Sequence, residues 1–75
     1  MATITKLGEH SYRFELHTPT RQIDEEVNDV QLLGLLARET LLDALGDVIS
    51  AEYVMARLDA IDMGQRVDII VRNRS

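Results

Sequence analysis

The stretch Val27 to Leu45, VNDVQLLGLLARETLLDAL, governs how the rest of the chain is read, because it is rich in leucine and holds no proline. At about 100° per residue, Val27, Val30, Leu33, Ala37, Leu41, Ala44 and Leu45 fall on one arc, the apolar stripe that a surface helix turns toward its core. The spacing predicts a central helix over the whole stretch. Its second half has a polar opposite side, with Glu39, Thr40 and Asp43. Its first half does not: Leu32 and Leu36 lie there one turn apart with Leu35 beside them, so that half is apolar nearly all round.

A helix of that kind needs cover on both sides, supplied in so short a chain by its own second helix or by another chain. The expectation is a twofold homodimer whose interface carries Leu32, Leu35 and Leu36, with Gly34 and Glu39 in the same surface. Gly34 costs about 1 kcal/mol relative to alanine inside a helix, which is consistent either with close backbone approach together with Ala37 one turn on or with a merely tolerated glycine. Asn28 and Gln31 have the spacing of an N-terminal capping box, and Asp24, Glu25 and Glu26 complement the positive end of the dipole, which leaves the helix start open between Asp24 and Asn28.

Toward the N-terminus, residues 3–7 (TITKL) and 11–17 (SYRFELH) alternate at period two around a Gly8-Glu9-His10 loop and predict a hairpin. Setting Leu7 opposite Ser11 places Ile4 opposite Phe14 and gathers Ile4, Tyr12, Phe14 and Leu16 on one face; a slip of one residue would split that set. Thr18-Pro19-Thr20 ends the second strand, and residues 18–23 read as the connection into the helix. On the other side, Gly46 reads as the helix stop. Ser50 reads as the cap of a second helix, SAEYVMARLDAID, with Ala51, Val54, Met55, Leu58 and Ile61 in one stripe and Gly64 as its stop. Arg66 to Arg74, RVDIIVRNR, alternates with Val67, Ile69 and Val71 to one side and predicts a final strand. The expected fold is a single α+β domain over residues 1–75, in the order ββααβ. It has a three-stranded, mainly antiparallel sheet with both helices on the aromatic face.

Seventy-five residues bury only roughly 60% of the surface of the unfolded chain, so association would help stability. The absence of cysteine excludes disulfides, thiolate metal sites and thiol catalysis. No apolar run approaches the roughly 20 residues that span a bilayer, and MATITKLGEH lacks a secretory pattern, so a cytoplasmic location is expected. The net charge of −5 divides along the chain: residues 24–62 carry ten acids against two bases, while the remainder carries six bases against three acids. The central part is therefore acidic and the flanking strands mildly basic.

No constellation for chemistry is present. His10 falls in the hairpin loop and His17 at the far end of a strand, so the two histidines are expected apart in solvent with no carboxylate forced beside either. Ser50 has no G-x-S-x-G surroundings, and glycines at 8, 34, 46 and 64 form no phosphate-binding loop. No catalytic residue, cofactor or metal is expected. The leading expectation is a non-enzymatic protein-protein interaction module, a small regulator or inhibitor that binds a macromolecular partner as a homodimer. The alternative is a nucleic-acid-binding module using Arg13, Arg66, Arg72 and Arg74 on the outer sheet face. It lacks aromatic residues among those arginines for base stacking.

Overall fold

The computed structural model describes residues 1–72. Strands β1 (Ala2–Gly8) and β2 (Ser11–His17) form the expected hairpin, with Ile4 opposite Phe14 and Ala2 opposite Leu16. The register shifts only at its end, where Gly8 rather than Leu7 faces Ser11 and Leu7 becomes the bulged residue. Ile4, Tyr12, Phe14 and Leu16 are all buried on one face.

The chain then departs from the expected ββααβ order. Thr18 to Arg21 is a tight turn, with the Thr18 amide donating to the Arg21 carbonyl (2.9 Å) and the Arg21 amide to Thr18 Oγ1 (2.9 Å). It leads into a strand, β3 (Gln22–Asn28), which pairs with β2 along its full length. Asp24, Glu25 and Glu26 have little intrinsic strand preference. The ladder with β2 and the inward Val27 and Ile23 hold the segment, and Arg13 on β2 adds a bond to one of the three, its Nε donating to Asp24 Oδ1 (2.9 Å) and Nη2 to Asp24 Oδ2 (2.7 Å).

Helix α1 (Asp29–Ala37) is therefore half the predicted central helix. The capping box fixes its start at Asn28: Asn28 Oδ1 accepts from the Gln31 amide (2.9 Å), and Gln31 Oε1 accepts from the Asn28 amide (3.0 Å). Beyond Ala37 the chain makes two short strands, β4 (Leu41–Leu42) and β5 (Val48–Ile49). Between them Asp43 Oδ1 accepts from the amides of Leu45 (2.9 Å) and Asp47 (3.0 Å). Gly46, at φ 84°, takes the left-handed position that an L side chain resists. Gly46 thus closes a hairpin and does not stop a helix.

Helix α2 (Ala51–Asp59) starts where expected, with Ser50 Oγ accepting from the Tyr53 amide at 3.1 Å. Ala51, Val54 and Leu58 are buried, with Met55 and Ile61 packed against them. Strand β6 (Arg66–Val71) returns to the middle of the sheet with Val67, Ile69 and Val71 inward. The predicted strand ran to Arg74; that end lies outside the described residues.

The result is an α+β fold with two helices and one six-stranded antiparallel sheet, in the strand order β3-β2-β1-β6-β4-β5, rather than three strands. Both helices lie on the face that carries Phe14 and Tyr12, and one core joins them to all of the longer strands. Leu32 and Leu36 sit in that core at 0% and 1% exposure, so they form no surface seam. Val30 and Leu33, predicted to face inward, are instead 80% and 38% exposed, and Leu45 in the β4–β5 turn is 87% exposed. The physical reason is that α1 is apolar on nearly every side, so periodicity does not select its buried face. Its cap and the strand that feeds it do.

Candidate functional site

The uncovered side of α1 meets α2 in an open groove of about 350 Å³. Val30 and Leu33 form one wall and Met55 and Ala56 the other, while Asp29, Glu52 and Asp59 stand at its rim. Three local devices set this geometry. The capping box fixes the rotation of α1 about its axis, and Ser50 fixes the start of α2. Lys6 of β1 then holds the far end of α2, its Nζ donating to the carbonyls of Leu58 and Ile61, both at 3.0 Å. A cation at the last carbonyls of a helix satisfies orphan acceptors and the negative end of the dipole together.

No lysine or arginine among the described residues lines the groove. At the Asp29 end, His10 Nδ1 lies 2.6 Å from Asp29 Oδ2. The hydrogen bond and charge of Asp29 raise the His10 pKa above its usual 6.5, and Asp59 adds to the effect. Tyr12, buried beneath, is pushed up to about 12, chiefly by burial and further by Asp29 and Asp59. Asp29 and Asp59 both line the groove and both act on His10 and Tyr12. Glu52, in the first turn of α2, lines it as well, seven residues before Asp59.

The residues expected to form a dimer face do not come together as a surface. Leu32 and Leu36 are in the core, Leu35 is partly buried against it, and Gly34 is exposed with nothing within 4 Å of where a Cβ would stand. Within this chain nothing approaches Gly34, so close intrachain packing does not account for it. Glu39, with its side chain 7% exposed, binds Arg21 Nη2 at 2.6 Å and ties the β2–β3 turn to the end of α1.

The outer sheet face is not a basic strip. Arg13 is held by Asp24, with Glu15 at 3.6 Å, and its pKa is raised by the Asp24 hydrogen bond and charge. Cross-strand pairing places Arg13 and Arg66 on the same face as Glu15, Asp24, Glu26 and Asp68, so acids outnumber these arginines there. Arg72 is exposed just beyond β6, and Arg74 lies outside the described residues. His17 Nε2 is 3.8 Å from Glu15, and His10 has Asp29, so each histidine has a carboxylate that its sequence position did not announce.

Among the described residues no group of three histidine, cysteine, aspartate or glutamate side chains could hold a metal ion. Among the same described residues no helix is long and apolar enough to cross a membrane. Compared with known proteins, the chain matches no family model, no curated protein and no solved structure. Its class is defined by fold and site alone: a small antiparallel α+β protein with an acid-rimmed apolar groove between its two helices.

Proposed function

We propose that this chain is a non-enzymatic protein-binding module whose docking surface is the groove between α1 and α2. The observation that carries the reading is the exposure of Val30 and Leu33, two apolar side chains in the best-capped helix, beside Met55. An apolar stripe left open next to a charged rim is the usual anatomy of a protein contact, with a water-excluding centre and a polar border. The chain has no need of Val30 for its own core, so an exposed valine there fits contact with a partner better than it fits stability. A small regulator or inhibitor could act through such a surface without any chemistry of its own.

A photo-crosslinking side chain placed at Val30, and separately at Thr5 on the open sheet face, tests the proposal in native extract. Capture of one protein from Val30 and not from Thr5, lost when Leu33→Glu is added, is the expected result. Capture of nucleic acid, or equal capture from both positions, would overturn it. Self-association is distinguished in the same experiment, because a second copy crosslinked at Val30 would make the groove a homodimer seam.

A further inference from the structure

Resting on the groove as the docking surface, we infer that its occupant is a cationic amphipathic helix of a partner protein. Basic residues stand at positions i and i+7 of that helix and apolar ones at i+3 and i+4 between them. The charge selects a cationic segment, since Glu52 and Asp59 line the groove beside a His10-bonded Asp29 and the described residues put no lysine or arginine there. A second copy presenting the same helices would set carboxylates against carboxylates, and nucleic acid would meet the same repulsion.

The spacing selects a helix. Glu52 and Asp59 are seven residues apart on α2, a rise of about 10 Å, and residues seven apart on a docked helix return to one face at the same rise. Positions i+3 and i+4 fall on that face too, opposite Leu33 and Met55. The backbone agrees. The groove walls are side chains of two helices and offer no free strand edge, so an extended segment would bring amides and carbonyls with no partner, while a helix satisfies its own.

The test uses a labelled synthetic peptide of about four helical turns. It carries lysines at i and i+7 and leucines at i+3 and i+4 on an alanine and glutamine background. A version with glutamates for the lysines and a scrambled version of equal composition serve as controls. Fluorescence anisotropy at about 0.1 M salt is expected to show the lysine peptide bound at least tenfold more tightly than either control. Amide shifts in the full chain should concentrate at Val30, Leu33, Glu52, Met55 and Asp59. The variant Glu52→Gln with Asp59→Asn should bring the lysine and glutamate peptides to similar affinities while melting as wild type does.

Failure of the lysine peptide to bind, equal binding of any control, or shifts confined to the open sheet face would each overturn the inference. The groove reading fails separately. A crosslinked partner that contacts Val30 through an acidic or extended segment keeps the groove as a docking surface and removes only the cationic helix.

Discussion

At the scale of single residues, the structure gives Gly34 and His10 opposite kinds of freedom. Gly34 lies inside α1 with open space where a Cβ would stand, and its φ is not in the left-handed range. It therefore carries the entropic cost of glycine with no compensating contact. Gly34→Ala should stabilise the chain by about 0.5–1 kcal/mol, read from the midpoint of a denaturant melt at unchanged slope. A loss of stability would show that some close approach has been missed. His10 has a partner but little cover. Its raised pKa means that the folded chain holds the proton more tightly than the unfolded one, so its contribution is complete below the usual 6.5 and disappears as pH rises through the raised value. The difference in melting temperature between wild type and His10→Asn should accordingly be larger at pH 5.5 than at pH 8.5. An equal difference at both would detach His10 from Asp29.

At the scale of elements, what decides legibility is whether an element's signal is local. The β1–β2 hairpin was readable because Ile4, Tyr12, Phe14 and Leu16 fall on one face in only one register, and β6 because Val67, Ile69 and Val71 alternate cleanly. Helix α2 announced itself through Ser50 and the Ala51, Val54, Leu58 stripe. Strand β3 was not readable: Asp24-Glu25-Glu26 resembles an acidic helix start, and what makes it a strand lies on other elements, the ladder with β2 and the core that takes Val27 and Ile23, with Arg13 adding a bond to Asp24. Strand β4 was hidden likewise, since Leu41 and Leu42 continue the helical period and pair with Val71 and Ile70 far along the chain. The surplus apolar face of α1 is legible in the sequence as a surplus but not in its direction: periodicity points to Leu32 and Leu36, whereas Val30 and Leu33 are the exposed pair. Two substitutions test the revised assignment. Leu36→Glu should unfold the chain, seen as loss of the native circular dichroism spectrum, because it puts a charge into a site only 1% exposed. A folded, monomeric Leu36→Glu would restore the seam. Phe14→Ala should cost about 3–5 kcal/mol in a denaturant melt, because Phe14 is buried at the middle of the inner sheet face; a loss under about 1 kcal/mol would contradict its place there.

At the scale of the whole molecule, the acidic central part of the chain does not map onto the helices alone. Its acids spread over β3, α1, the β4–β5 turn and α2, and only some of them meet at the groove. On the open sheet face Arg13 is paired with Asp24, while Arg66 stands opposite the uncharged Thr5, so charge pairing there centres on Arg13. What joins these sides is the central pair of strands. Strand β1 meets β6 with Ala2 opposite Ile69 and Ile4 opposite Val67, which closes almost the entire chain into one loop. Strand β6 is also the only described element through which β4 and β5 reach the rest of the sheet. A chain ending at Gln65 would lose Val67, Ile69 and Val71 from the core and leave both β1 and β4 with an unpaired edge. The helices cannot make up the loss, since α2 packs on β6 and each helix has only nine residues, too few to stand alone in water. Truncation after Gln65 should therefore abolish the cooperative melt altogether and not merely lower its midpoint, with far-UV circular dichroism near that of an unfolded chain at 25 °C. Retention of a sigmoidal transition by the truncated chain would mean that β1, β2, β3 and α1 form a folding unit of their own, and that the groove, which needs α2, is an addition to that unit rather than part of one cooperative whole.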